Sequence, residues 1–193
     1  MISKKVDIRQ YNRRGNPCFA EACLVELANG EKRAVEKLRK GMEVWTPLGQ
    51  RKIVAVVATE VKDYGMCRIG ELLITVWHPI SANGQWVFPI DMAKERETYS
   101  GKIYSILLER DENAEAHAVR VGGQIAVTLG HGIIGRAVGR TDVRAHYFLG
   151  DYEKVKRSLD SLELGGSGLH ISGGMEKDEE TGLVCGFIPV GKI

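Results

Sequence analysis

Four turn signals, Asn29-Gly30, Pro47-Leu48-Gly49, Asn83-Gly84 and Gly122-Gly123, cut the chain between Cys18 and Thr128 into short apolar runs. Runs of that length, punctuated by Gly and Asn, are those of an all-β domain. The predicted strands cover residues 24–27, 43–46, 52–59, 71–76, 103–109, 117–121 and 125–128.

After residue 150 the pattern changes. Tyr152, Val155, Leu159 and Leu162 recur at helical spacing in DYEKVKRSLDSL. The Gly-rich LELGGSGLHISGG and the acidic turn DEETG then lead into LVCGFIPV, predicting a small hairpin packed back on the domain. Upstream, residues 1–17 are basic and turn-rich, with NRRGNP directly before Cys18 and no apolar period that would place them in a core. The expected organisation is a flank (1–17), a mostly β domain (18–150) and a C-terminal helix and hairpin extension (151–193).

The 193 residues are 44% apolar and 27% charged, which excludes a structureless linker. Twenty-seven Lys and Arg against twenty-five Asp and Glu leave +2, too little for the basic field of a general nucleic-acid binder. Apolar stretches such as 53–58 fall far short of the roughly 20 residues that span a bilayer, and MISKKVDIRQ lacks a signal peptide's apolar run. The expectation is an intracellular, cytoplasmic protein with no membrane or nucleic-acid partner. Cys18, Cys23, Cys67 and Cys185 are too few and too scattered for a disulfide framework, so their chemistry would be thiol chemistry.

An internal echo accompanies these patterns. His78-Pro-Ile-Ser-Ala-Asn-Gly-Gln matches His117-Ala-Val-Arg-Val-Gly-Gly-Gln at His, at the third, β-branched residue, at Gly and at Gln. Both chance and a duplicated half-domain account for it.

Three residues carry potential chemistry. Cys18 opens the compact part, where the first globular residue is itself a potential nucleophile; read alone, it is equally a small buried hydrophobe. Thr75-Val76-Trp77-His78 cannot share one face of a strand, but a bend at the strand end brings Thr75 and His78 together, and Pro79 favours such a break. Thr75 would then orient the imidazole of a general acid or base. A satisfied structural histidine remains the alternative.

Taken together, these segments resemble the Hint domains shared by hedgehog autoprocessing proteins and inteins. Cys18-Phe19, Val25, Asn29-Gly30, Val35-Glu36-Lys37-Leu38, Gly41 and Val44 look like the first block, Thr75-Val76-Trp77-His78-Pro79 like the TxxH block, and KIYSILLERDENAEAHAVRVGG like the downstream block with His117 at its histidine. Within that family the chain is similar to the Vint subfamily linked to von Willebrand factor A domains, through Val127-Thr-Leu-Gly-His131-Gly-Ile133, Ala145-His146-Tyr-Phe-Leu-Gly150 and Thr181-Gly-Leu-Val-Cys185-Gly186.

The resemblance implies a pseudo-twofold β fold and self-cleavage of the Pro17-Cys18 bond. Cys18 would attack the Pro17 carbonyl, His78 would protonate the Cys18 nitrogen with Thr75 holding it, and His117 and His131 would support. Water or a small nucleophile would open the thioester, with the upstream chain as the only substrate and no cofactor or metal. Splicing would need a terminal Asn, and no Asn follows Asn113. Glu60 and Asp63 lie near where hedgehog domains keep an acid for sterol transfer, but no sterol-binding tail is evident. Pro17 crowds the carbonyl and would slow the reaction. Rivals are a degenerate Hint domain serving as an interaction or spacer module and a Cys-His hydrolase acting in trans.

The remaining candidates have simpler readings. Cys23, Cys67 and Cys185 read as buried and inert, and His131, His146 and His170 as turn or structural residues. Cys18, Cys23 and His78 do not make a closed zinc set. Residues 32–40 read as a solvated helical turn.

Overall fold

Two long strands organise the molecule. β5 (Gly49–Ile69) and β9 (Glu95–Leu108) pair antiparallel, from Ile53 opposite Leu108 to Arg68 opposite Glu95. The computed structural model describes residues 11–13, 16–135, 142–166 and 168–191. Pairing slips between Val61 and Tyr64, where Asp63 takes φ 51° and its amide donates to Ser100 Oγ at 3.0 Å. An extra residue of this kind bends a strand and strengthens its twist.

The ends of this ribbon meet a common pair of short strands. β6 (Leu72–Thr75) pairs with the far end of β5, and β1 (Phe19–Ala20) lies between β6 and β9, with Phe19 opposite both Ile74 and Tyr104. β4 (Glu43–Thr46) folds onto the start of β5. At the outer edge β12 (His170–Lys177) runs parallel to β5, and β13 (Val184–Pro189) pairs with β12, completing seven strands.

A second sheet has six strands, in the order β3 (Lys32–Ala34), β2 (Leu24–Glu26), β10 (Ala118–Val121), β11 (Gln124–Val127), β7 (Ile80–Ala82) and β8 (Gln85–Val87). The two echo segments are equivalent hairpins within it. Ala82 pairs with Gln85 around Asn83-Gly84 (φ 50° and 74°), and Val121 with Gln124 around Gly122-Gly123 (φ 52° and 78°). Two-residue I′ turns need positive φ at both central positions, which is why Asn and Gly stand there.

Period-2 alternation divides the apolar side chains between two cores. Ile53, Val56 and Ala58 of β5 and Ile106 and Leu108 of β9 join Val25, Val44, Ile74, Ile80 and Val119 in one. Ala55, Val57 and Leu107 face the other, with Leu129, Phe148, Leu149 and Phe187. A short helix, α1 (Pro89–Met92), follows β8, and α2 (Tyr152–Asp160) starts at Asp151, whose carboxylate accepts from the Lys154 amide. α2 buries Val155 and Leu159 in the second core, and its Ser158 hydroxyl accepts from Phe187 N at 2.8 Å.

Several expectations change. β5 runs to residue 69 and β9 begins at 95, because the mostly polar runs TEVKDYG and ERETYSG carry only Val61, Tyr64 and Tyr99 against the first core and show no apolar alternation. Residues 32–34 form a strand, and only Val35–Lys37 turn as a 3-10 helix; Val35 and Leu38 are buried, so this run is a core edge and not a solvated turn. The flank is not wholly outside the core. Tyr11 is 1% exposed and Asn12 3%, since one aromatic ring can be buried without any periodic pattern around it. Cys185, read as buried, is exposed on β13.

Candidate active site

Register builds the site. With Phe19 opposite Ile74 and Tyr104, the preceding residue, Cys18, stands level with Thr75 on β6 and Ser105 on β9. The Thr75 amide donates to Cys18 O at 3.0 Å, while the Cys18 amide donates to Thr75 Oγ1, also at 3.0 Å. The Cys18 nitrogen is therefore held by a side chain. On the other flank the Ser105 hydroxyl donates to Pro17 O in a very short hydrogen bond. Cys18 Sγ lies 3.1 Å from Ser105 Oγ and 3.2 Å from Asn16 Oδ1.

Proton counting orients this network. A carbonyl only accepts, so the single Ser105 proton is committed to Pro17 O and the thiol is the donor towards Ser105 or Asn16. Cys18 is 1% exposed. Burial pushes its thiol up to about 12, with the Ser105 hydrogen bond opposing. At pH 7 the resting sulfur is therefore a neutral thiol.

The Thr-x-x-His spacing is that of a β-turn. His78 N donates to Thr75 O at 3.2 Å, turning the chain out of β6 so that the histidine swings back beside the start of β1. Its ring packs on Phe19 at 4.4 Å between centroids. Nε2 lies 2.7 Å from Val127 O and must carry the proton, because the carbonyl cannot. Nδ1 is then a bare lone pair, buried and without a hydrogen bond of normal geometry. Desolvation lowers the His78 pKa to about 4, and the nearby Val127 and Cys18 backbone groups pull it partly back up. Val127, and not Thr75, thus fixes the tautomer; the Thr75 hydroxyl accepts from the Cys18 amide instead.

The other candidate residues lie elsewhere. His117 Nε2 is 3.1 Å from Asp111 O and 3.3 Å from Asp111 N, tying down the loop before β10. His131 Nδ1 accepts from Ile133 N, and His146 Nδ1 accepts from Phe148 N and Leu149 N, so each caps its own turn. Glu60 and Asp63 are exposed on the ribbon. Cys23 Sγ bonds the Leu73 backbone in the core, and Cys67 is fully buried. Ser105 is the residue that sequence reasoning passed over. Its signal was a lone serine inside the largely apolar run KIYSILL.

A cysteine opening a β domain, with two hydroxyls on either side of the preceding peptide bond and a histidine returned by a TxxH turn, fits one family model. The Vint model, a Hint domain, matches residues 17–186, beginning one residue before Cys18. The chain belongs to the Vint family of Hint domains. Hint domains are self-processing. Solved structures similar to this Vint chain include a DnaB intein from Synechocystis sp. PCC 6803 (TM-score 0.48, 12% identity, 58% of this chain and 99% of that one). A bacterial intein-like domain from Clostridium thermocellum gives TM-score 0.47 at 16% identity, over 57% of this chain and 97% of that one. The gp41-1 intein gives 0.45 at 11%, over 59% and 100%. No curated protein matches the Vint chain. Among its described residues no helix is long and apolar enough to cross a membrane.

Proposed function

We propose that this Vint domain cleaves its own Pro17-Cys18 bond by an N-to-S acyl shift and does not splice. The observation that carries the reading is the convergence on one peptide unit: Ser105 O–H on Pro17 O, Thr75 Oγ1 on the Cys18 amide and Cys18 Sγ against Ser105. Sγ attacks the Pro17 carbonyl carbon, the π pair moves onto oxygen, and Ser105 stabilises the developing charge as an oxyanion donor does. The C–N bond then breaks and the nitrogen leaves as an amine. Net, one proton passes from sulfur to nitrogen. His78 is the candidate carrier to the leaving nitrogen: its Nδ1 is unpartnered beside the Cys18 backbone, and a neutral imidazole must first gain the proton that it then donates. Water or a small thiol or amine then opens the thioester, restoring the thiol and freeing the upstream carboxyl group or its adduct. No Asn follows Asn113 in this sequence, so Asn cyclisation, the usual route to downstream release, has no residue to act on here.

The test fuses a reporter to each end and follows intact mass. Release of the upstream reporter alone, accelerated by hydroxylamine and abolished by Cys18→Ala, supports the reading. Release unchanged in Cys18→Ala overturns the thiol mechanism, and ligated reporters overturn the exclusion of splicing. The buried, neutral thiol favours a second reading, an inert Hint module acting as an interaction or spacer unit. A chain that stays whole in hydroxylamine, with Cys18 unmodified, would establish it.

A further inference from the structure

Seven residues before the thiol, the chain is gripped a second time. Tyr11 is 1% exposed, its ring 5.1 Å from that of Phe88 and edge-on to His146 at 4.8 Å. Next to it, Asn12 Oδ1 accepts from Tyr147 N at 2.9 Å and its Nδ2 donates to Ala145 O at 3.4 Å. An amide side chain that both gives to and takes from another segment's backbone is read by direction as well as by size.

The receiving surface is braced by its own residues. Arg144, 8% exposed at its side chain, pairs with Asp142 at 2.9 Å and with Glu115 at 2.7 Å, and lies over the Trp86 ring at 4.6 Å. His146 caps Phe148 and Leu149 through Nδ1, and its Nε2 has no hydrogen-bond partner among the described residues. The family match covers only one of the two sides. Phe88 and residues 142–149 lie inside the matched Vint region, whereas Tyr11 and Asn12 lie before its first residue, Pro17.

We propose that Phe88 and residues 142–149 form a binding site for the upstream segment, reading an aromatic-asparagine pair seven and six residues before the nucleophile and retaining that segment after the bond breaks. The site would select the upstream partner by sequence, at a distance from the chemistry. Only the retention after cleavage rests on the Pro17-Cys18 reading; the binding does not.

The test therefore begins in a Cys18→Ala chain, where no cleavage intervenes. In that background Tyr11→Ala with Asn12→Ala empties the site, and a fluorescent peptide, IRQYNRR, is titrated in. The emptied chain should bind it, the chain with its own Tyr11 and Asn12 should not, and peptides with Ala for Tyr or Asn should bind about tenfold or more weakly. A folded, emptied chain that ignores the peptide overturns the proposal. If the double variant does not fold, Asn12→Ala alone serves as the receptor; if that also unfolds, the segment is core and the proposal fails. A second arm uses the Cys18 chain after hydroxylamine treatment. The freed segment should co-elute with the body on native gel filtration and separate from it in Tyr11→Ala. Peptide binding without any release would sink the cleavage reading and leave the binding site standing; release without peptide binding would do the reverse.

Discussion

At the scale of single residues, the site is a division of labour around one peptide bond. Ser105→Ala removes the hydroxyl on Pro17 O and should slow upstream release by about 10²- to 10³-fold, the usual loss for one oxyanion donor. Its thermal stability should fall by no more than about 1–3 kcal/mol, the cost of one unsatisfied buried acceptor. A Ser105→Ala chain that cleaves at the wild-type rate would remove this assignment. The two echo histidines should separate cleanly. His78→Ala should slow release by about 10²- to 10⁴-fold, while His117→Ala, which frees the Asp111 loop and touches no reacting atom, should lower the melting temperature with the rate of the folded fraction nearly unchanged. Comparing rate with melting temperature for both variants checks this. Cys18 and His78 were legible as candidates in the sequence because Cys and His are rare residue types and stand here at marked positions. Ser105 was not, since a strand hydroxyl is common and only the pairing of β1 between two neighbours gives this one a carbonyl to hold.

Between elements, the two I′ hairpins show what local sequence can and cannot say. Asn83 and Gly122 occupy the same turn position with nearly the same φ, so conformation alone would allow Asn at either. Space does not. A Cβ on Gly122 would lie 2.9 Å from Leu72 Cβ and 3.0 Å from its backbone, whereas one on Gly123 meets nothing within 4 Å. Gly122→Asn should therefore destabilise by about 1–3 kcal/mol, as overpacking does, and Gly123→Asn by less, because Asn tolerates left-handed backbone. Urea melts of the two variants would test the order; equal losses would mean that conformation, and not Leu72, decides. The core strands were legible for the same local reason that these turns were: each carries its own apolar alternation. The continuation of β5 and β9 through residues 60–65 and 95–101 was not, because only Val61, Tyr64 and Tyr99 there pack on the core and they follow no period-2 pattern.

For the whole molecule, buried neutral imidazoles link folding to acidity. Desolvation lowers His78 to about 4 and both His131 and His146 to about 3. Unfolded, each would titrate near 6.5. Between those values the unfolded chain binds protons that the folded chain refuses, so stability is full above about pH 6.5 and falls as pH drops towards 4. At pH 5 the three together would cost on the order of 6 kcal/mol, comparable with a domain's entire stability. Urea unfolding at pH 7.5, 6.0 and 5.0 should show midpoints falling with pH, and His131→Gln should flatten the trend if it still folds. A midpoint constant from pH 7.5 to 5.0 would contradict it.

The placement of Tyr11 and Asn12 also has a mechanical consequence. Tension applied through residues before Tyr11 would reach the buried ring and its paired amide before it reached residue 17, so the Pro17-Cys18 peptide sits behind a strain relief. The geometry of that peptide is set by β6 and β9 on one side and insulated by this anchor on the other.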